Sequence, residues 1–229
     1  PFAFTNNKFE FRMVGSSDSV APSNVVLNTI VAEAFKEAAD ELEKADDFQM
    51  AVHDLIKKLF SEHRRIIFNG NGYSSAWVKE AEKRGLPNIS CMVEAIPALT
   101  TEKAVKLFET FHVYTRAELE SRAEVEYDSY SKIIHIEALT MTNIAGKQII
   151  PAIIRYTARL ADSMAKVQSV CPEADTSVQR DLLIEASARL GEIKAAHKKL
   201  VELQEECRSI RSAKERAHAC RERLVPAME

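Results

Sequence analysis

Glycine is scarce in this chain. Six of its 229 residues are glycine, where ordinary usage of about 7% would place roughly sixteen. Proline adds seven, so turns are few and long regular elements are favoured. No apolar run approaches the roughly 20 residues that a membrane helix needs, and no membrane partner is expected. Pro1-Phe2-Ala3-Phe4 lacks the charged-then-apolar layout of a signal peptide. A basic surplus is missing too. Lys and Arg number 31 against 34 Asp and Glu, a formal net charge of −3, which argues against a nucleic-acid binder. The four cysteines, Cys91, Cys171, Cys207 and Cys220, lie far apart with no CxxC pair. Structural zinc and a disulfide framework are therefore disfavoured, and a reducing, cytoplasmic setting is the simplest reading.

What the chain does hold is 46% hydrophobic and 28% charged residues, enough to fold around a buried core. With little glycine and abundant Ala, Glu, Lys, Leu and Arg, the expected class is mostly α. The first two dozen residues differ from the rest. Phe2, Phe4, Phe9, Phe11 and Met13 make a period-two apolar pattern with Lys8, Glu10 and Arg12 on the opposite face, which predicts one β-strand over about 7–13. A lone strand leaves backbone groups unpaired, and no partner strand is visible downstream. The chain reads as starting inside a sheet whose remainder is missing, with a polar loop through Gly15-Ser16-Ser17-Asp18-Ser19 after it.

Helices follow. Leu27, Ile30, Val31, Ala34, Ala38 and Leu42 recur at helical spacing from Pro22 or Ser23 to about Lys44. Asp46 or Asp47 can cap the next helix, which carries Val52, Leu55, Ile56, Leu59 and Phe60. Ser74 or Ser75 caps a short helix that stops at Gly85, and Thr101 precedes another through Val105 and Phe108. Thr115-Arg116-Ala117-Glu118 fits a capping box. The long helix it opens carries Ile133, Ile136, Leu139 and Ile144, is kinked by Pro151, and resumes to about Val170. After the break at Cys171-Pro172-Glu173-Ala174-Asp175, two seven-residue series form an a/d seam. One is Ile193, Leu200 and Cys207; the other is Ala196, Leu203, Ile210, Ala217 and Leu224. The expected architecture is a multi-helix bundle with a long antiparallel helical hairpin, preceded by one strand. Residues 1–24 read as a strand and loop ending a core that lies upstream, 25–172 as a helical region, and 173–229 as a long C-terminal helix that packs on the bundle and looks cut.

Alternation places Lys8, Glu10 and Arg12 on one strand face. A carboxylate between two cations suits a metal–phosphate group, the oxygen on the metal and the cations on anionic substrate. The same residues also fit an ordinary surface ladder of alternating charge. Asn69-Gly70-Asn71-Gly72 beside His63, Arg64 and Arg65 invites a phosphate cradle, but no Lys-Ser/Thr follows. A structural turn with φ > 0 is the better expectation. The six histidines show no metal-ligand spacing, and Cys207 reads as a core filler in the seam. Tyr73 and Trp77 beside the turn fit a helix contact.

The segment Asn7-Lys8-Phe9-Glu10-Phe11-Arg12-Met13-Val14-Gly15-Ser16-Ser17 resembles the last catalytic-core strand of glutamine synthetases, where an [RK]-x-E-x-R pattern runs into a loop of small residues. Ala21-Pro22-Ser23-Asn24 and the helix from Val25 resemble the family's next step. The stretches Ile66 to Ser74, Trp77 to Asn88 and Ile136 to Met141 look like the type III branch, so the resemblance covers essentially the whole chain.

The resemblance implies a parent enzyme that makes glutamine from glutamate and ammonia through γ-glutamyl phosphate, with ATP and Mg2+ or Mn2+. On it, Glu10 matches a metal-ligand glutamate and Arg12 the arginine that contacts the substrate carboxylate. Lys8 stands where many relatives have an arginine near the ATP phosphates; it keeps the charge but loses the planar fork. The other ligands would lie upstream, so the fragment alone is expected to be inactive. Its partners would be the remainder of the same polypeptide and further copies in a ring-shaped homo-oligomer. The alternative is a non-catalytic helical assembly module.

Overall fold

The computed structural model describes residues 2–4, 8–11, 15 and 18–229. Two short strands, β1 (Phe2–Phe4) and β2 (Phe9–Phe11), pair antiparallel, with Phe2 opposite Phe11, Ala3 opposite Glu10 and Phe4 opposite Phe9. The expected strand therefore has a partner just upstream of it. Phe2 and Phe4 belong to the same alternating run, and one run interrupted by polar residues folds as two strands.

From Ala21 onward the described chain is helical. α1 spans Ala21–Leu42, α2 Phe48–Glu62, α3 Ser75–Lys83, α4 Met92–Ala95 and α5 Glu102–Thr110. Local chemistry sets these boundaries. Asp47 accepts the Met50 amide at 3.1 Å, Ser74 the Trp77 amide at 3.3 Å and Thr101 the Ala104 amide at 3.3 Å, each satisfying a donor with no intrahelical partner. At the far end of α3, Gly85 adopts φ +67°. Its amide reaches the Glu82 carbonyl at 3.0 Å and the Leu86 amide reaches Ala81 at 3.0 Å, the paired bonds of a Schellman ending.

A 55-residue helical run follows: α6 (Arg116–Ile144), a π turn (Ala145–Ile149) and α7 (Ile150–Val170). The capping box forms as expected. Thr115 N–H donates to Glu118 Oε2 at 2.8 Å, and Glu118 N–H to Thr115 Oγ1 at 3.3 Å. Pro151 is accommodated by the π turn just before it. Proline lacks an N–H and its ring collides with the carbonyl four residues back, so widening the preceding turn relieves both. The same device recurs at the end of the chain, where a π turn (Cys220–Leu224) precedes α10 (Val225–Met228) and its Pro226.

α8 (Ser177–Ser209) returns antiparallel on α7 across a short connection. Asp175 accepts the Ser177 amide at 2.8 Å, and Gln168 reaches the buried Thr176 hydroxyl at 3.3 Å. The C-terminal seam departs from expectation. It is not one long helix: α8 ends at Ser209, residues Ile210–Ser212 are extended, and α9 (Ala213–Ala219) starts anew under a Ser212 cap. Arg216 supports this connection by donating to the Ile210 carbonyl at 2.9 Å. Ala217 and Leu224 still enter the core, from different elements than heptad spacing implied.

The chain divides into two compact units, Pro1–Leu119 and Glu120–Glu229, with the boundary inside α6. In the first, Val105, Phe108 and Leu119 are buried among Val25, Val26, Ala104 and Tyr114. Each such side chain contributes about 1.5–3 kcal/mol. In the second, Ala138, Leu200, Cys207, Ala219, Cys220 and Leu224 form the core, with Tyr130, Ile134 and Leu203 against it. The apolar marks on α6 do not face that core. Val125, Ile133, Ile136, Leu139 and Ile144 are 42–61% exposed, while Ala123, Tyr127, Ser131, Ala138 and Thr142 are buried. Apolar residues on α6 thus occur on its exposed as well as its buried side.

Candidate functional site

Of the three residues singled out from the sequence, β2 carries Glu10. Glu10 is half-buried at its centre, opposite Ala3, and Lys8 stands exposed immediately before it. Spacing by two places them on the same side of the strand. Arg12 lies outside the described residues. A carboxylate oxygen suits a hard divalent cation, but one such ligand does not complete a coordination sphere. Among the described residues no group of three His, Cys, Asp or Glu side chains could hold a metal. This chain's described residues alone therefore do not assemble a metal centre.

The glycine-containing turn is structural, for a reason different from the expected one. A Cβ on Gly70 would lie 2.7 Å from the Phe68 ring, and Gly70 and Gly72 do not have positive φ. The requirement is close approach, because Phe68 stacks on Trp77 at 4.2 Å. Arg84 closes the arrangement. It lies 5.6 Å from the Trp77 ring, donates to the Ile67 carbonyl at 2.8 Å and pairs with Glu80 at 2.7 Å. That pair holds the Glu80 carboxyl below its ordinary range. Arg64 and Arg65 sit in an exposed 3-10 turn with no cradle around them. The Trp77 contact expected from the sequence is thus made within the chain.

One constellation left no mark in the sequence. Asp128 on α6 accepts from Arg216 on α9 at 2.6 Å and from Lys132 at 2.6 Å. The Lys132 hydrogen bond, with both cations' charge, holds the Asp128 carboxyl below its ordinary value. These groups border a cleft of about 430 Å³ that His135, Cys207, Arg208 and Cys220 also line. Partners 88 residues apart give no local pattern to read.

The glutamine synthetase C-terminal domain family matches residues 51–168, more than half of the chain. The chain belongs to the glutamine synthetase C-terminal domain family. It is 34% identical over its whole length to a type-3 glutamine synthetase of Dictyostelium discoideum, 34% over 83% of its length to a glutamine synthetase of Butyrivibrio fibrisolvens, and 30% over its whole length to one of Bacteroides fragilis. It spans 32%, 28% and 32% of those proteins, about a third of each. The family match begins beyond the β1–β2 pair, so the Lys8–Arg12 segment rests on the whole-length likenesses. Among the described residues, no helix is long and apolar enough to cross a membrane.

Proposed function

We propose that this chain is the C-terminal part of a glutamate–ammonia ligase that forms glutamine through γ-glutamyl phosphate. The single observation that carries this is alignment with a type-3 glutamine synthetase along the full chain, β1–β2 included. On this reading residues 1–24 end the catalytic core, and 25–172 with 173–229 form its helical C-terminal region. Glu10 would hold one divalent ion, Mg2+ or Mn2+, together with carboxylates from the rest of the polypeptide. When bound, that ion supplies charge stabilisation for phosphoryl transfer from ATP. Glu10 would contribute an anionic oxygen from its place on a strand. Lys8 would place a point charge near the nucleotide phosphates, and Arg12 would hold the substrate glutamate by its carboxylate.

The test is ATP-dependent glutamine production by the complete polypeptide and by this chain alone. The reading expects formation in the first and none in the second. An inactive complete polypeptide under metal and ATP saturation would refute it.

The outward apolar residues favour an assembly role alongside the catalytic one. Besides the α6 face, Phe35 on α1 is 72% exposed and Phe60 on α2 is 63% exposed. Apolar surface on this scale marks a contact with further protein, which here would be the rest of the polypeptide and other copies of it in a closed ring. Light scattering decides this point: the complete protein is expected to be an oligomer, and a strict monomer would remove the ring.

A further inference from the structure

The chain's two buried thiols meet. Cys207, near the end of α8, is 1% exposed, and Cys220, opening the second π turn, is 2% exposed. They share one core cluster with Leu200 and Leu224 and border the same cleft. Cys91 is half-buried, Cys171 is exposed, and all four cysteines are reduced.

Burial in a closed core would make such thiols inert. This pair differs because both residues line the 430 Å³ cleft, whose rim carries Arg208 and Arg216. Local opening of this cleft brings the sulfurs within reach of a small anionic reagent, and the rim cations meet its charge. We propose that Cys207 and Cys220 form a dithiol–disulfide site, which low-molecular-weight disulfides of the glutathione type oxidise, covalently fastening the C-terminal segment to α8.

The chemistry balances in two exchanges. The Cys207 thiolate attacks one sulfur of the reagent, a protein–glutathione S–S bond forms, the reagent's own S–S bond breaks, and the departing thiolate takes up the proton that Cys207 released. The Cys220 thiolate then attacks the Cys207 sulfur. The protein disulfide forms, the mixed disulfide breaks, and the second glutathione leaves as a thiol with the proton from Cys220. Two electrons pass from the cysteine pair to the reagent. Burial raises both thiols, Cys220 to about 11, so the exchange is slow.

The experiment uses the folded full chain and glutathione disulfide at millimolar concentration. Free thiols are then alkylated, and tryptic peptides are analysed by mass spectrometry without reduction. The expected product joins peptides 200–208 and 217–221, lighter by two hydrogens than their sum, and dithiothreitol separates them. Cys207→Ser and Cys220→Ser should each abolish that species and leave a mixed disulfide or a free thiol at the remaining position. Alkylated Cys207 and Cys220 in the wild-type chain after prolonged oxidation, or pairing of either with Cys171, would overturn the proposal. The wild-type readout stands even if a serine variant fails to fold.

Discussion

Replacing Phe108 by alanine separates core burial from residue type. Phe108 is 3% exposed among Val105, Leu119 and Tyr114, with its ring 5.4 Å from the Tyr114 ring. Truncating a buried phenylalanine costs about 3–5 kcal/mol, and losing a tilted aromatic pair falls within that range. With a urea dependence of about 2 kcal/mol per molar for a unit of this size, the midpoint should fall by about 2 M. Phe35 supplies the control: it is 72% exposed, so Phe35→Ala should change stability by about 0.5 kcal/mol or less. The assay is urea unfolding followed by far-ultraviolet circular dichroism on both variants of the isolated chain. Equal midpoints for the two would refute the assignment of the first unit's core.

Other predictions follow from caps and buried thiols. Thr115→Ala removes half of the capping box and should cost about 1 kcal/mol, read as a lower thermal midpoint with unchanged helix content; no change would remove the cap's role. The Cys220 thiol rises from 9.0 to about 11 because of burial first and the neighbouring Cys207 sulfur second. Since the folded value lies above the unfolded one, this stabilisation is complete below pH 9 and is lost as pH rises through 11. The span corresponds to about 3 kcal/mol. Unfolding midpoints measured between pH 8 and pH 11 should fall more steeply for the wild-type chain than for Cys220→Ala, and parallel curves would contradict the burial.

Much of the helical order was legible because its signals are local. Asp47, Ser74, Thr101, the Thr115–Glu118 box and Gly85 each act within a few residues of their own position, so side-chain type and spacing suffice to place them. Periodicity was less informative on α6. Ile133, Ile136 and Leu139 match a helical repeat, yet the buried side is drawn from Ala123, Tyr127, Ser131 and Ala138, smaller or more polar residues. With its large apolar residues exposed and small or polar ones buried, the repeat on α6 points away from the buried side. The heptad series ran across Ile210–Ser212 because spacing by seven survives a turn that resets the helix, while the Ser212 cap was the local sign of the break. Arg216 and Asp128 had no such sign, being far apart in sequence. For the candidate site, alternation placed Lys8 and Glu10 together, but their chemistry depends on groups beyond the described residues.

The most direct measurement is metal-dependent glutamine formation by the complete polypeptide carrying Glu10→Gln. The substitution keeps the side chain's size and removes the anionic oxygen. At saturating ammonia and ATP, the account predicts a rate reduced at least about a hundredfold and a raised requirement for Mg2+ or Mn2+. Wild-type turnover with an unaltered metal dependence would contradict it.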